Sequence, residues 1–188
     1  MNTPTHILLS AALLAKPDNR VRNWAVIIGS LVPDLSLYVM WANAKFIQGL
    51  SDRVIFRDLH FSDFWQMLNA ISNSIPLYAG ILLVGLWRKS LLLIMLGAAA
   101  LLHMAGDFPL HNSDAHRHFW PISDWRFHSP ISYWNPRYHG DIVGMIEIGL
   151  ALVLIAILWR RFKSWKVRAC LFLALIPYIG VPLYFSAL

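Results

Sequence analysis

The sequence predicts an all-α protein: a polytopic membrane helical bundle of five to six helices with a long irregular outer loop, forming a single integral membrane domain over residues 1–188. Three observations predict it. Hydrophobic residues make up 57% of the chain and charged residues 14%, too apolar a balance for an ordinary water-soluble domain. Apolar runs near the length of about 20 residues that crosses a hydrocarbon core of roughly 30 Å recur along the chain. The basic residues are concentrated in short connections between those runs, as in a chain oriented across a bilayer.

The first apolar run, residues 7–15, is short for a span and has no basic residue ahead of it, which argues against a cleavable signal peptide. It reads as a short helix, opened by His6 and packed against the others. Runs over residues 24–42, 64–87, 91–108, 142–159 and 169–187 read as spanning or nearly so. Pro33 takes away the donor for the carbonyl of Gly29 and predicts a kink that makes room for Asp34 to face the bundle interior. Pro109 ends the fourth of these helices and biases Phe108 away from α geometry. Gly144 and Gly149 flank Glu147 and predict close packing of the helix that carries it. Residues 109–141 contain Pro109, Pro121, Pro130 and Pro136 among Trp120, Trp125, Tyr133, Trp134 and Tyr138, and read as a shaped loop at the membrane interface.

Charge sets the orientation. Lys16, Arg20 and Arg22, then Arg88 and Lys89, then Arg160, Arg161, Lys163, Lys166 and Arg168 account for ten of the 16 basic residues, accompanied by one acid, Asp18. Those connections are expected to face the cytoplasm, and residues 43–63 and 109–141 to lie outside with the N-terminus. The net charge of +6 therefore reports topology. A nucleic-acid partner is not expected, because the basic residues are not interleaved with stacking aromatics in an exposed domain. The lone Cys170 excludes an intrachain disulfide and reads as a packing residue.

All eight histidines fall in or near the outer half. The densest stretch, HMAGDFPLHNSDAHRH over residues 103–118, carries His103, Asp107, His111, Asp114, His116 and His118. His103 and Asp107 are four apart on one helical face, a spacing that lets two side chains share an ion, and the loop beyond Pro109 can fold back with more ligands. Asp34, His103 and Glu147 each lie twelve to fourteen residues from a basic boundary, so at about 1.5 Å per residue all three sit about 18 to 21 Å above one plane, with His6 at roughly 15 Å. Ionisable side chains at such depth mark a functional cavity or a paired site. Mixed histidine and carboxylate ligation without thiolate suits a divalent metal, zinc first, then manganese or iron. The ligands outnumber what one tetrahedral ion needs, which allows two metals or one metal with orienting partners. The expected ligands are His6, Asp34, His103, Asp107, His111 and His116. Asp114 and Glu147 are candidate general bases, and Glu147 could equally be a ligand or the partner of a histidine. His60, His128 and His139 carry weaker signals.

The segments THILL, VPDLS, HMAGD and FWP, with SPISYWNPRYHG after them, resemble a family of bacterial inner-membrane metal-dependent hydrolases described as LexA-binding, with zinc phospholipase C enzymes as distant relatives. The likeness runs in outline from His6 to Gly140. It implies a membrane helical bundle with metal-dependent hydrolase activity, and metal-site positions at His6, Asp34, His103 and Asp107, followed by His111, Asp114, His116 and His139. The chain departs from the family pattern at Ser36 and Asn135, where aspartate is usual. Together these readings lead to a multi-pass protein of the bacterial inner (cytoplasmic) membrane, its site facing the periplasm, that hydrolyses a phosphoester or other ester of a lipid or envelope compound. The alternative is a nonenzymatic membrane metal-binding or metal-transport protein. The apolar inner halves of the helices, which offer no continuing path for an ion, favour the hydrolase.

Overall fold

The computed structural model describes residues 1–178 and 180 and is all-helical over them. Its α-helices are α1 (Thr3–Leu14), α2 (Arg20–Ala42), α3 (Asp52–Arg57), α4 (Asp63–Ser72), α5 (Ile75–Trp87), α6 (Leu91–Asp107), α7 (Gly140–Arg161) and α8 (Trp165–Leu173). Three helical stretches are long and apolar enough to cross a membrane: Arg20–Ile47, Asp63–Trp87 and Gly140–Arg161. The surface matches that solvent. Leu83, Leu86, Met145, Ile146 and Val153 are exposed, while Thr5, His6, Ser10, Ser30, His103, Asp107 and Glu147 are buried. Apolar outside and polar inside is the arrangement lipid favours, since helices satisfy their own backbone and polar side chains must find partners within the bundle.

α1 is 12 residues long, about 18 Å, and cannot cross a core of roughly 30 Å. The carbonyls at its C-terminal end therefore need donors. Arg161 Nη1 donates to Ala12 O at 2.7 Å and Ala15 O at 3.2 Å, and Arg22 Nη1 donates to Leu14 O at 3.3 Å. Two arginines of the basic connections thus close the lower end of the short helix. Beside it, Leu8, Ala12 and Ala15 join Ala151, Leu154, Leu158 and Phe162 of α7 and the following turn in one apolar core.

α2 and α6 pack closely enough to exclude a side chain at their crossing. A Cβ on Gly29 would lie 2.3 Å from Leu96 O, and one on Gly97 would lie 2.9 Å from Leu82 N on the other side of α6. The expected close packing at Gly144 and Gly149 is not found. Both positions open onto empty space, and α7 meets α1 through Ala151 and its larger apolar neighbours.

Residues 64–87 do not form one continuous helix. The chain breaks at Asn73, whose φ is −107° and ψ 24°, and restarts with the Ser74 side chain accepting from Leu77 N and Pro76 in the first turn of α5. The break is filled by residues of the outer loop. Ile75 N donates to His118 O at 2.8 Å, Ser74 Oγ to Trp120 O at 2.6 Å, and Asn73 Nδ2 to Pro33 O in α2 at 3.1 Å. Pro76 has no N–H and cannot extend the ladder backward, so polar groups from elsewhere in the chain take the freed backbone positions.

Residues 43–63 are also more ordered than a loop, with a π-turn over Asn43–Ile47, α3, and a short turn at Leu59–Phe61. Residues 109–139 are irregular as expected, with a single helical turn at Pro136–Tyr138. Phe108 keeps right-handed helical angles, φ −47° and ψ −45°, against the expectation from Pro109. Its N–H donates to Met104 O at 2.8 Å and its ring stacks on Phe127 at 4.8 Å, contacts that outweigh the local steric bias. The expected last span, residues 169–187, is described at 169–178 and 180, and the rest of it lies outside the described residues; α8 begins earlier than expected, at Trp165, ends at Leu173, and brings Lys166 and Arg168 into its first turns.

Candidate metal centre

α6 carries His103 and Asp107 on its inner face, and α1 lays His6 flat against His103, the two rings parallel within 9° and 3.5 Å apart between centroids. Asp107 is the common partner. His6 Nε2 is 2.8 Å from its Oδ1, His103 Nε2 is 3.0 Å from its Oδ2, and His111 Nε2 is 3.3 Å from its Oδ1. Asp34, next to Pro33 inside α2, reaches the edge of this group with Oδ1 3.5 Å from His103 Nε2, and its Oδ2 accepts from Thr3 Oγ1.

His111 and His116 arrive from the loop, which does fold back. Ser129 N donates to His111 O at 2.9 Å and Tyr133 N to Leu110 O at 3.0 Å, so residues 129–133 run alongside 109–112. The ring centroids of His111 and His116 lie 4.4 Å apart. Two sets of three ligand atoms, His6–His103–Asp107 and Asp107–His111–His116, each lie within 4.8 Å of one another and could hold a metal ion.

The far nitrogens of these histidines define which nitrogen is available. His103 Nδ1 donates to the Ser30 carbonyl at 2.7 Å, His111 Nδ1 to Asp114 Oδ2 at 2.9 Å, and His116 Nδ1 to Asn69 Oδ1 at 2.8 Å. Each acceptor is a carbonyl, amide oxygen or carboxylate, so Nδ1 carries a hydrogen and, in the neutral ring that a metal would bind, Nε2 is the nitrogen with the lone pair. This is how proteins commonly orient metal-binding imidazoles. His103 Nε2 and His111 Nε2 are both buried and, despite their proximity to Asp107, have no aligned hydrogen-bond partner; His6 Nδ1 is likewise unpartnered. The Met1 amino group, 2.6 Å from Asp107 Oδ1, places a cation against the same carboxylate. Buried bare imidazole nitrogens converging on a carboxylate that already attracts positive charge fit a divalent cation.

The chain matches no family model, no curated protein and no solved structure. Its functional reading therefore rests on this geometry.

In the loop half, burial opposes a charge on His111, but Asp107 and Asp114 prevail and raise it to about 9. Burial also opposes a charge on Asp114, yet the hydrogen bond and charge of His111 bring it down to about 2. His116 is held well below the usual imidazole value by burial and by the His111 charge, which keeps it neutral. Asp114 sits behind His111, its Oδ2 also accepting from Trp134 Nε1 at 3.0 Å, while its Oδ1 is buried without a partner.

Glu147 is not part of either group. Its Oε1 accepts from Asn2 N at 2.6 Å and from Thr5 Oγ1, and its Oε2 accepts from Asn2 Nδ2 at 3.0 Å, so α1 stands between it and the histidines. His118 Nδ1 donates to Asn73 O, His128 Nδ1 donates to Asn112 O, and His139 adopts left-handed angles, φ 62° and ψ 25°, at the start of α7. Sequence reasoning missed Ser30, Asn69 and Trp134. Asn69 had a signal: an amide in the otherwise apolar stretch MLNAI needs a partner inside a bilayer.

Proposed function

We propose that this chain is a membrane-embedded, metal-dependent hydrolase of a bacterial inner membrane, with its site toward the periplasm, acting on a phosphoester or other ester of a lipid or envelope compound. The observation that carries the reading is that the ligand cluster is one-sided. Histidines and carboxylates gather at the loop end, while the bundle toward the basic end is closed by apolar side chains, Leu8, Ala12, Leu154 and Leu158 on one side and Ala25, Val26, Met95 and Ala99 on the other. A transporter needs polar groups continuing through that layer; a hydrolase needs a site reached from one face.

A divalent ion, zinc first among the candidates, supplies Lewis-acid activation of water and of the ester when bound. His6, His103 and Asp107, with Asp34 beside them, would hold it, and the Ser30 carbonyl fixes the ring of His103. Of the two candidate bases, Asp114 keeps Oδ1 without a partner, but at about 2 its carboxylate is a weak base, and its bond to His111 Nδ1 makes orienting that ring its first role; the Glu147 oxygens are occupied by Asn2 and Thr5 and so position α1 and His6. Exposed Ile122, Trp125 and Trp134 give the loop an amphipathic rim at which a lipid headgroup can enter sideways. The resemblance of THILL, VPDLS and HMAGD to the LexA-associated hydrolase family points to the same class.

The test pairs two assays on detergent-purified protein. Zinc-loaded protein is expected to cleave at least one member of a panel of phospholipids and phosphoesters, and to lose that turnover with its metal in Asp107→Ala. Zinc flux across proteoliposomes without turnover of any ester would replace the hydrolase with the transport reading.

A further inference from the structure

We infer that the site holds two divalent ions, one on His6 and His103 and a second on His111 and His116, with the Asp107 carboxylate shared between them. The inference rests on the metal-binding part of the proposed function and specifies the number of ions. A single ion cannot use all five side chains. Zinc lies about 2.0 to 2.2 Å from each nitrogen or oxygen ligand, so two ligand atoms on one ion are at most about 4.4 Å apart. Among the described residues, no set of ligand atoms within 4.8 Å of one another contains both histidine pairs; they fall into two sets, and Asp107 is in both.

The loop pair is built as a site in its own right. His111 is buried, and its Nε2 has no hydrogen-bond partner. Its Nδ1 is engaged by Asp114 at 2.9 Å, and that of His116 by Asn69 at 2.8 Å. Two rings from a loop are thus locked by two separate elements, the loop itself and α4, with Nε2 the nitrogen left to coordinate. Both rings are already oriented through Nδ1, and the buried Nε2 of His111, left without an aligned partner, is a polar atom that a cation would satisfy. Asp107 has two oxygens, and a carboxylate can give one to each of two ions, the arrangement that places paired metals about 3.5 to 4 Å apart in two-metal hydrolases.

Zinc content of the detergent-purified full-length chain, measured by mass spectrometry after loading and desalting, is expected to be two per chain. It should fall to one in His116→Ala and in His103→Ala, and below one in Asp107→Ala. His116→Gln, which keeps an amide near Asn69, guards against loss through misfolding and should also hold one. A second readout needs no variant: the manganese-loaded wild type should give the electron paramagnetic resonance spectrum of an exchange-coupled pair, and His116→Gln that of isolated Mn²⁺. One zinc per chain in the wild type, unchanged in His116→Ala, together with an uncoupled manganese spectrum, overturns the second ion and leaves the hydrolase on the first. No bound zinc or manganese at all overturns both.

Discussion

Replacing Asn69 with alanine leaves the His116 ring without the amide oxygen that sets its hydrogen, and metal affinity is expected to fall roughly 10- to 100-fold, the usual effect of removing a partner behind a ligating histidine. Asn69→Asp keeps an acceptor at the same place and should restore most of the loss; equal weakening in both variants, read by zinc competition with a chromophoric chelator, would mean Asn69 acts through packing alone. Asp114→Asn separates two roles at a neighbouring residue. If Oδ1 takes the proton, turnover should fall about 10² to 10⁴-fold while the zinc content stays unchanged. Zinc lost in parallel would show that Asp114 chiefly orients His111. The same pair fixes a pH dependence for the metal-free protein. His111 is raised to about 9, so its pairing with Asp107 and Asp114 contributes fully below the ordinary imidazole value of about 6.5 and is lost as pH rises through about 9. Asp114 is lowered to about 2, so its contribution is present above about 4 and lost as pH falls through about 2. Thermal unfolding in chelator should therefore show this contribution greatest between about pH 4 and 6.5.

At the scale of elements, the site depends on how close α2, α6 and α1 approach. Gly29→Ala puts a Cβ within 2.3 Å of Leu96 O, and backbone cannot yield as a flexible side chain can. The helices must separate, at a cost of about 1 to 3 kcal/mol, and the Ser30 carbonyl moves away from His103. Lower thermal stability in detergent together with weaker zinc binding is expected, and native values of both would remove the crossing from the account of the site. Arg161 acts at the opposite end of α1. Arg161→Met strips two carbonyls, of Ala12 and Ala15, of their donor, while Ala11 O keeps the N–H of Ala15; each lost bond is worth about 1 kcal/mol, and the variant should destabilise the bundle with little change in zinc content, because the candidate ligands lie at the other end of the helix. The interrupted α4–α5 stretch has a different use. Its polar break receives the loop that carries His111 and His116, so an irregularity in a membrane helix becomes the anchor of a ligand-bearing segment.

For the whole molecule, the separation between a ligand-rich end and a basic end predicts topology. In a Cys170→Ser background, a cysteine at Ser113 should react with an impermeant thiol reagent added outside the cell, and one at Ser164 only after permeabilisation. The reverse labelling would invert the bundle. The three helical stretches able to cross a membrane provide the frame, while α1, held by Arg161 below and by Glu147 above, is a short plug that brings His6 to the candidate metal centre.

Much of this was legible in the chain. Apolar runs report helices because a bilayer accepts few other backbones, and the position of His6, Asp34 and His103 relative to basic boundaries reports depth because a helix rises evenly. The spacing of His103 and Asp107 fixes a shared face for the same reason. Helical arithmetic gives height but no azimuth, so it placed Glu147 at the level of the histidines without telling that α1 would stand between them. It also could not reveal the break at Asn73, where the Pro76 signal lies inside a run apolar enough to span, nor that Asn69 and the Ser30 carbonyl would meet His116 and His103. Those pairings join residues 47 and 73 positions apart. They exist only once the loop has folded back and the helices have crossed, because hydrogen-bond partners are chosen by packing across the bundle, which no local period encodes.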